Sequence, residues 1–147
     1  MTMFKNILVP FDGSTGAEEA LITAASLAKL CDAEVTVLTV YRHHSMLEAS
    51  FSMVRTQEPG SIDDAMRSHA KEVAEHGKAI LTEQGAPRVR GFTKVGQPAR
   101  TIISFAKQHE NDLIVIGSRG MGSVENYLLG SVSHKVTGLS PVPVLVI

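Results

Sequence analysis

Short runs that are apolar at every position, each closed by a turn cluster and followed by a helical pattern, constrain this chain most. Asn6-Ile7-Leu8-Val9-Pro10-Phe11 is one such run, and Asp112-Leu113-Ile114-Val115-Ile116 is another. A strand with no polar side has no face to offer water, so helices must cover it on both faces, the habit of central parallel strands. Glu34 to Val40 gives a second strand and Val89 to Lys94 a third. Arg88, Arg90 and Lys94 interrupt the third, which predicts an exposed face near a sheet edge. Pro143 to Ile147 closes the chain as a fifth strand.

Helical patterns fill the intervals. Thr15 and Glu18 have capping-box spacing and open a helix whose apolar face is Ala20, Leu21, Ala24, Leu27 and Ala28. Ser61 and Asp64 have cap spacing before a helix carrying Met66, Ala70, Val73, Ala74, Gly77, Ile80 and Leu81, with Gly85 as its stop. Gly96-Gln97-Pro98 opens a third helix that turns Ile102, Ile103 and Ala106 inward, and a short helix spans about Ser131 to Thr137. Strands alternating with helices imply a doubly wound α/β fold: a five-stranded parallel sheet, order 3-2-1-4-5, with helices on both faces. The 147 residues suit a single domain, with no repeat or linker. Ligands of such sheets sit beyond the carboxyl ends of the strands where the winding reverses, here between strands one and four.

Composition excludes several functions. Fourteen basic and fifteen acidic residues leave a net charge of -1, with no basic excess for a nucleic-acid backbone. No apolar run approaches the roughly 20 residues of a membrane helix, and the start is too quickly polar for a signal peptide, so a cytoplasmic protein without membrane insertion is expected. Cys31 is the one cysteine and is read as packing.

Two turn-rich loops follow the two strands at the reversal point: Asp12 to Gly16 and Gly117 to Ser131. In the second, Gly117, Gly120 and Gly130 let backbone approach a ligand and take up positive φ, and bare amides in such turns form anion hollows. Gly130-Ser131-Val132 then starts a helix, whose free amides favour phosphate; the Ser131 and Ser133 hydroxyls can add bonds, and Arg119 can pair with a terminal phosphate. Gly117 and Gly122 have Walker A spacing, but the required lysine is missing, and Gly120-Met121-Gly122 lacks the third glycine of the dinucleotide fingerprint. From these residues alone, a phosphate site and a plain βα loop with a helix cap both stand.

The pattern Gly117-x-x-Gly120, nine residues, then Gly130-Ser131 resembles the ATP-binding motif of the universal stress protein family. The resemblance runs from Ile7-Leu8-Val9-Pro10 and Asp12 to Pro143-Val144-Leu145-Val146. It implies ATP, with Mg2+, or another adenine nucleotide as ligand. Asp12 then lies by the ribose, Val40 packs on adenine and offers backbone bonds, and Gly117, Gly120, Gly130, Ser131 and Val132 hold the phosphates. Pro10, Ser118, Arg119 and Ser133 complete the candidate set. The resemblance also implies a homodimer through the last strand, or a tetramer; the uncharged apolar edge from Val142 to Ile147 independently suits pairing. Phe11 stands where many members have a smaller or polar residue, which bears on the ribose-side fit. Arg42 to Arg55 is similar to a subgroup associated with TRAP-type solute transporters.

His43 and His44 are read as a polar loop or partner contact, and His69 and His76 as solvent-facing. Met46, Leu47, Phe51 and Met53, in the irregular stretch from Tyr41 to Gly60, cover the site, form an interface or fill core. Glu125 and His134 are the titratable groups near the loop, and neither has a partner that would orient it on a water, so no catalytic set and no metal site are assigned. The expected function is a nucleotide-dependent regulator of conformation or oligomerisation. The rivals are a slow ATP hydrolase of the adenine-nucleotide α-hydrolase architecture and a nucleotide-free dimeric interaction module.

Overall fold

The computed structural model describes residues 3–42, 59–118 and 130–147. Five parallel strands form one sheet: β1 (Asn6–Pro10), β2 (Glu34–Tyr41), β3 (Arg88–Val95), β4 (Leu113–Ile116) and β5 (Val144–Val146). Their order is β3-β2-β1-β4-β5, as the alternating pattern predicted. Among the described residues four helices join them: α1 (Thr15–Cys31), α2 (Pro59–Glu83), α3 (Pro98–Gln108) and α4 (Ser131–Leu139).

The two-residue period of the strands sorts side chains onto two cores. Ile7, Val9, Val35, Val37, Leu113 and Val115 face α1 and α2. Leu8, Leu38, Ile114 and Ile116 face α3 and α4. β1 and β4 therefore have no polar face because each covers a core on both sides. Alanines at 20, 24, 25 and 28, all fully buried, let α1 lie close against the sheet. Cys31 packs at the margin of that core, as expected. β3 forms one edge and has no fully buried position; its charged residues Arg88, Arg90 and Lys94 are exposed, as their pattern predicted.

Some boundaries move. The cap of α1 is Ser14, whose hydroxyl oxygen accepts from the Ala17 amide at 3.2 Å; Thr15 is already helical. The reason is the turn before it, where Asp12 accepts from the Ser14 amide at 2.9 Å and Gly13 takes φ 87°, setting Ser14 extended. α2 starts at Pro59, so Ser61 lies within its first turn rather than capping it. Gly85, at φ 89°, follows the end of α2 as foreseen. His43, His44, Met46, Leu47, Phe51 and Met53 lie outside the described residues, as do Arg119, Gly120 and Glu125.

Candidate functional site

At the carboxyl ends of β1 and β4, where the winding reverses, a cavity of about 200 Å³ opens between the sheet and α3 and α4. The strand order puts it there: α1 and α4 leave β1 and β4 toward opposite faces and part the loops between them. Its floor is apolar, from Leu38, Val40, Ile102 and Ile116. Its described rim is polar, from Asp12, Ser14, Ser131 and Ser133. Among the described lining residues Asp12 is the sole charged side chain. The N-terminal turns of α1, α3 and α4 all border the cavity, so three positive helix-dipole ends converge on it.

The three ends differ in how their amides are used. Ser14 caps α1, and the Gln97 side chain caps α3 by accepting from the Arg100 amide at 2.8 Å. At α4 the cap residue is Gly130, in extended conformation (φ -72°, ψ 168°), and it supplies no capping side chain. The first intrahelical bond runs from the His134 amide to the Gly130 carbonyl. The amides of Ser131, Val132 and Ser133 consequently have no hydrogen-bond partner among the described residues.

Not every predicted donor is open. The Gly130 amide donates to the Ser118 carbonyl at 2.6 Å, and the Ser118 amide donates to the Ile147 carbonyl at 2.7 Å. The Ser133 hydroxyl, expected to face a phosphate, donates instead to the Gly117 carbonyl at 2.5 Å and ties α4 to the end of β4. Gly117 and Gly130 are not in the left-handed region, contrary to expectation. Gly117 is glycine for another reason: a Cβ there would stand 2.8 Å from the Gly16 carbonyl carbon and 3.1 Å from the Ala17 nitrogen. The close approach is to the backbone of α1.

On the base side, β2 outruns β1. The β1–β2 register ends at Pro10 and Leu38, with a last bond from the Phe11 amide to the Leu38 carbonyl at 2.9 Å. In a parallel pair every second residue turns both its peptide groups to the same neighbour. Leu38 faces β1, so Val40 does too, and there β1 has ended. Tyr41 faces the other way, its carbonyl accepting from Gly96. Among the described residues the Val40 amide and carbonyl have no partner, while its side chain lines the cavity. Pro10 also lines it.

Phe11 does not fill the cavity with its ring. The ring packs in the core beneath α2, where a Cβ at Gly77 would lie 2.9 Å from Phe11 Cδ2, and its centroid is 6.2 Å from that of His76. A glycine in the middle of an apolar helix face was the signal that could have announced this contact. His69 and His76 are exposed, as read; His76 Nε2 lies 3.6 Å from a Glu18 carboxylate oxygen.

The structure thus brings Pro10, Asp12, Val40, Gly117 and Gly130 to Ser133 around one cavity; Ser118 sits beside it, bonded to Gly130. A model of the universal stress protein family matches residues 3–147. The universal stress protein YxiE of Bacillus subtilis is 36% identical over 148 residues, covering 99% of this chain and 99% of that protein. The solved structure of the universal stress protein UspA from Lactobacillus plantarum superposes with a TM-score of 0.81 at 29% identity, over 100% of this chain and 99% of that one. A universal stress protein from Archaeoglobus fulgidus, in complex with dAMP, superposes at 0.69 with 25% identity, over 100% and 99%.

Proposed function

Since the chain belongs to the universal stress protein family, we propose that residues 1–147 act as one unit that binds an adenine nucleotide, ATP with Mg2+, in this cavity. The observation that carries the reading is the pairing of two sets of open backbone groups across one apolar floor. The Ser131, Val132 and Ser133 amides form an anion site at a helix start. The Val40 carbonyl and amide offer an acceptor and a donor side by side, which matches the amino group and adjacent ring nitrogen of adenine and mismatches guanine. Asp12 lines the same cavity, and a ribose hydroxyl can donate to its carboxylate. The dAMP complex of the Archaeoglobus relative supports a nucleotide of this class.

The cation fits the donor chemistry in one way. Asp12 is the carboxylate in the described lining, and Mg2+ is held by one or two carboxylates together with substrate phosphates and water. When bound, the cation neutralises part of the phosphate charge; the chain's own contribution is to orient the phosphates on the α4 amides and to exclude water from the base.

Binding then shifts a conformational or oligomeric equilibrium, because the nucleotide favours one state. The oligomer is a dimer through β5. That strand is the sheet edge opposite β3, and the pairing of Pro143 and Ile147 with β4 turns the peptide groups of Val144 and Val146 outward. No helix among the described residues is long and apolar enough to cross a membrane, and the proposed site of action is the cytoplasm. On the subgroup resemblance of residues 42–55, the regulated partner is a solute transporter.

Thermal melting with and without Mg-ATP tests the reading. At a hundred times Kd the gain is about 2.7 kcal/mol, a rise of roughly 5 °C or more for a chain of this size. Equal melting with ATP, ADP, GTP and buffer would overturn it. Phosphate release near the ~10 per second of ordinary enzymes would favour the hydrolase instead.

A further inference from the structure

Continuing the β1–β2 ladder by one more step would have the Val40 amide donate to the Phe11 carbonyl. That bond is not made. The Phe11 carbonyl instead accepts from the Thr39 hydroxyl at 3.0 Å, in a buried position. Thr39 follows Val35 and Val37 onto the α1–α2 face of the sheet, so this bond draws the carbonyl toward that face and away from the line of Val40. Three contacts hold Phe11 so turned: its amide on Leu38, its carbonyl on Thr39, and its ring in the space a missing Cβ leaves at Gly77.

We propose that Thr39 is a positioning residue for the nucleobase: by taking the Phe11 carbonyl, its hydroxyl keeps the Val40 N–H open to donate to the adenine ring nitrogen beside the amino group. The inference rests on the nucleotide reading of the cavity and adds a specificity determinant outside its lining. A buried carbonyl does not stay without a donor when one is within reach. With the Thr39 hydroxyl removed, the Phe11 carbonyl turns back into the sheet plane and takes the Val40 amide. The strand pair lengthens by one rung and the base loses its donor.

Thr39→Val removes the hydroxyl and keeps the branched shape. Affinities for ATP, 1-deaza-ATP and 7-deaza-ATP are measured by calorimetry on wild type, T39V and T39S. The two analogues delete, in turn, the two ring nitrogens that flank the amino group. Wild type and T39S are expected to bind one analogue about tenfold more weakly than ATP, the loss of one hydrogen bond that leaves a buried donor unmade. T39V binds ATP about tenfold more weakly than wild type and no longer tells that analogue from ATP. A purely structural role for Thr39 would weaken all three ligands alike and preserve the ratio, which would overturn the proposal. So would a wild type indifferent to both deletions. A wild type that binds none of the three would instead refute the nucleotide reading itself. Amide exchange on the unliganded wild-type chain reads the same point without a variant: Val40 is expected to exchange quickly beside a protected Leu38 and to slow on adding ATP. A Val40 amide already protected before ATP is added contradicts the proposal.

Discussion

Two helices begin at the rim of the same cavity and begin differently. α1 closes its own first turn: Asp12 holds the Ser14 amide, and Ser14 holds the Ala17 amide. α4 begins at a bare glycine and leaves three amides without a partner among the described residues. Both follow strands on either side of the reversal point, and both present a positive dipole end. The difference teaches that a helix start becomes a ligand site only when the chain declines to cap it. α1 uses its side chains for stability; α4 forgoes that stability and keeps its donors for an anion.

The strongest way to break this contrast is to cap α4. Gly130 is extended, a conformation open to any residue, so Gly130→Asp can place a carboxylate on the free amides. ATP affinity is expected to fall by more than a hundredfold, about 3 kcal/mol, as the donors are taken and like charges meet. The melting temperature without nucleotide should hold or rise. Calorimetry and a thermal scan on one preparation check both, and a variant that binds ATP normally would remove α4 from the site. Next in size is Gly117→Ala. Its methyl meets the backbone of Gly16 and Ala17, so chemical denaturation should show a loss of about 2–3 kcal/mol.

Ser14→Ala is the mirror of the first test. It should lower stability by about 1 kcal/mol in a urea titration and leave ATP affinity within a factor of two. A large loss of affinity would mean that α1 shares the anion site. The smallest effect is expected from Ser131→Ala, less than threefold in ATP affinity by the same calorimetry, since the amide rather than the hydroxyl is the open donor.

The fold was legible because its signals are local. All-apolar strand runs, turn clusters and helical faces each declare themselves within ten or so residues. The site was legible in outline, through glycine spacing and the fold's reversal point, but several reasons were misread. Gly117 looked like a residue for positive φ, whereas the backbone of α1 occupies the space of its side chain. Phe11 left the ribose-side fit open, whereas Gly77 makes room for its ring on a distant helix. Thr39 gave no signal at all, because a threonine in a strand is ordinary until its hydroxyl is seen to bond across to β1. What stayed hidden in each case was a partner far away in the chain.

Ser118 and Gly130, the residues on either side of the 119–129 segment, are bonded to each other, and Ser118 is bonded in turn to the terminal Ile147. Ser118 and Gly130 are therefore held side by side, and the Ile147 carbonyl is tied to the same pair. A displacement of β5 reaches Ser118 both through its ladder with β4 and through the Ile147 carbonyl. If β5 pairs with a second chain and the α4 amides take a phosphate, as proposed, the two events act on one bonded unit.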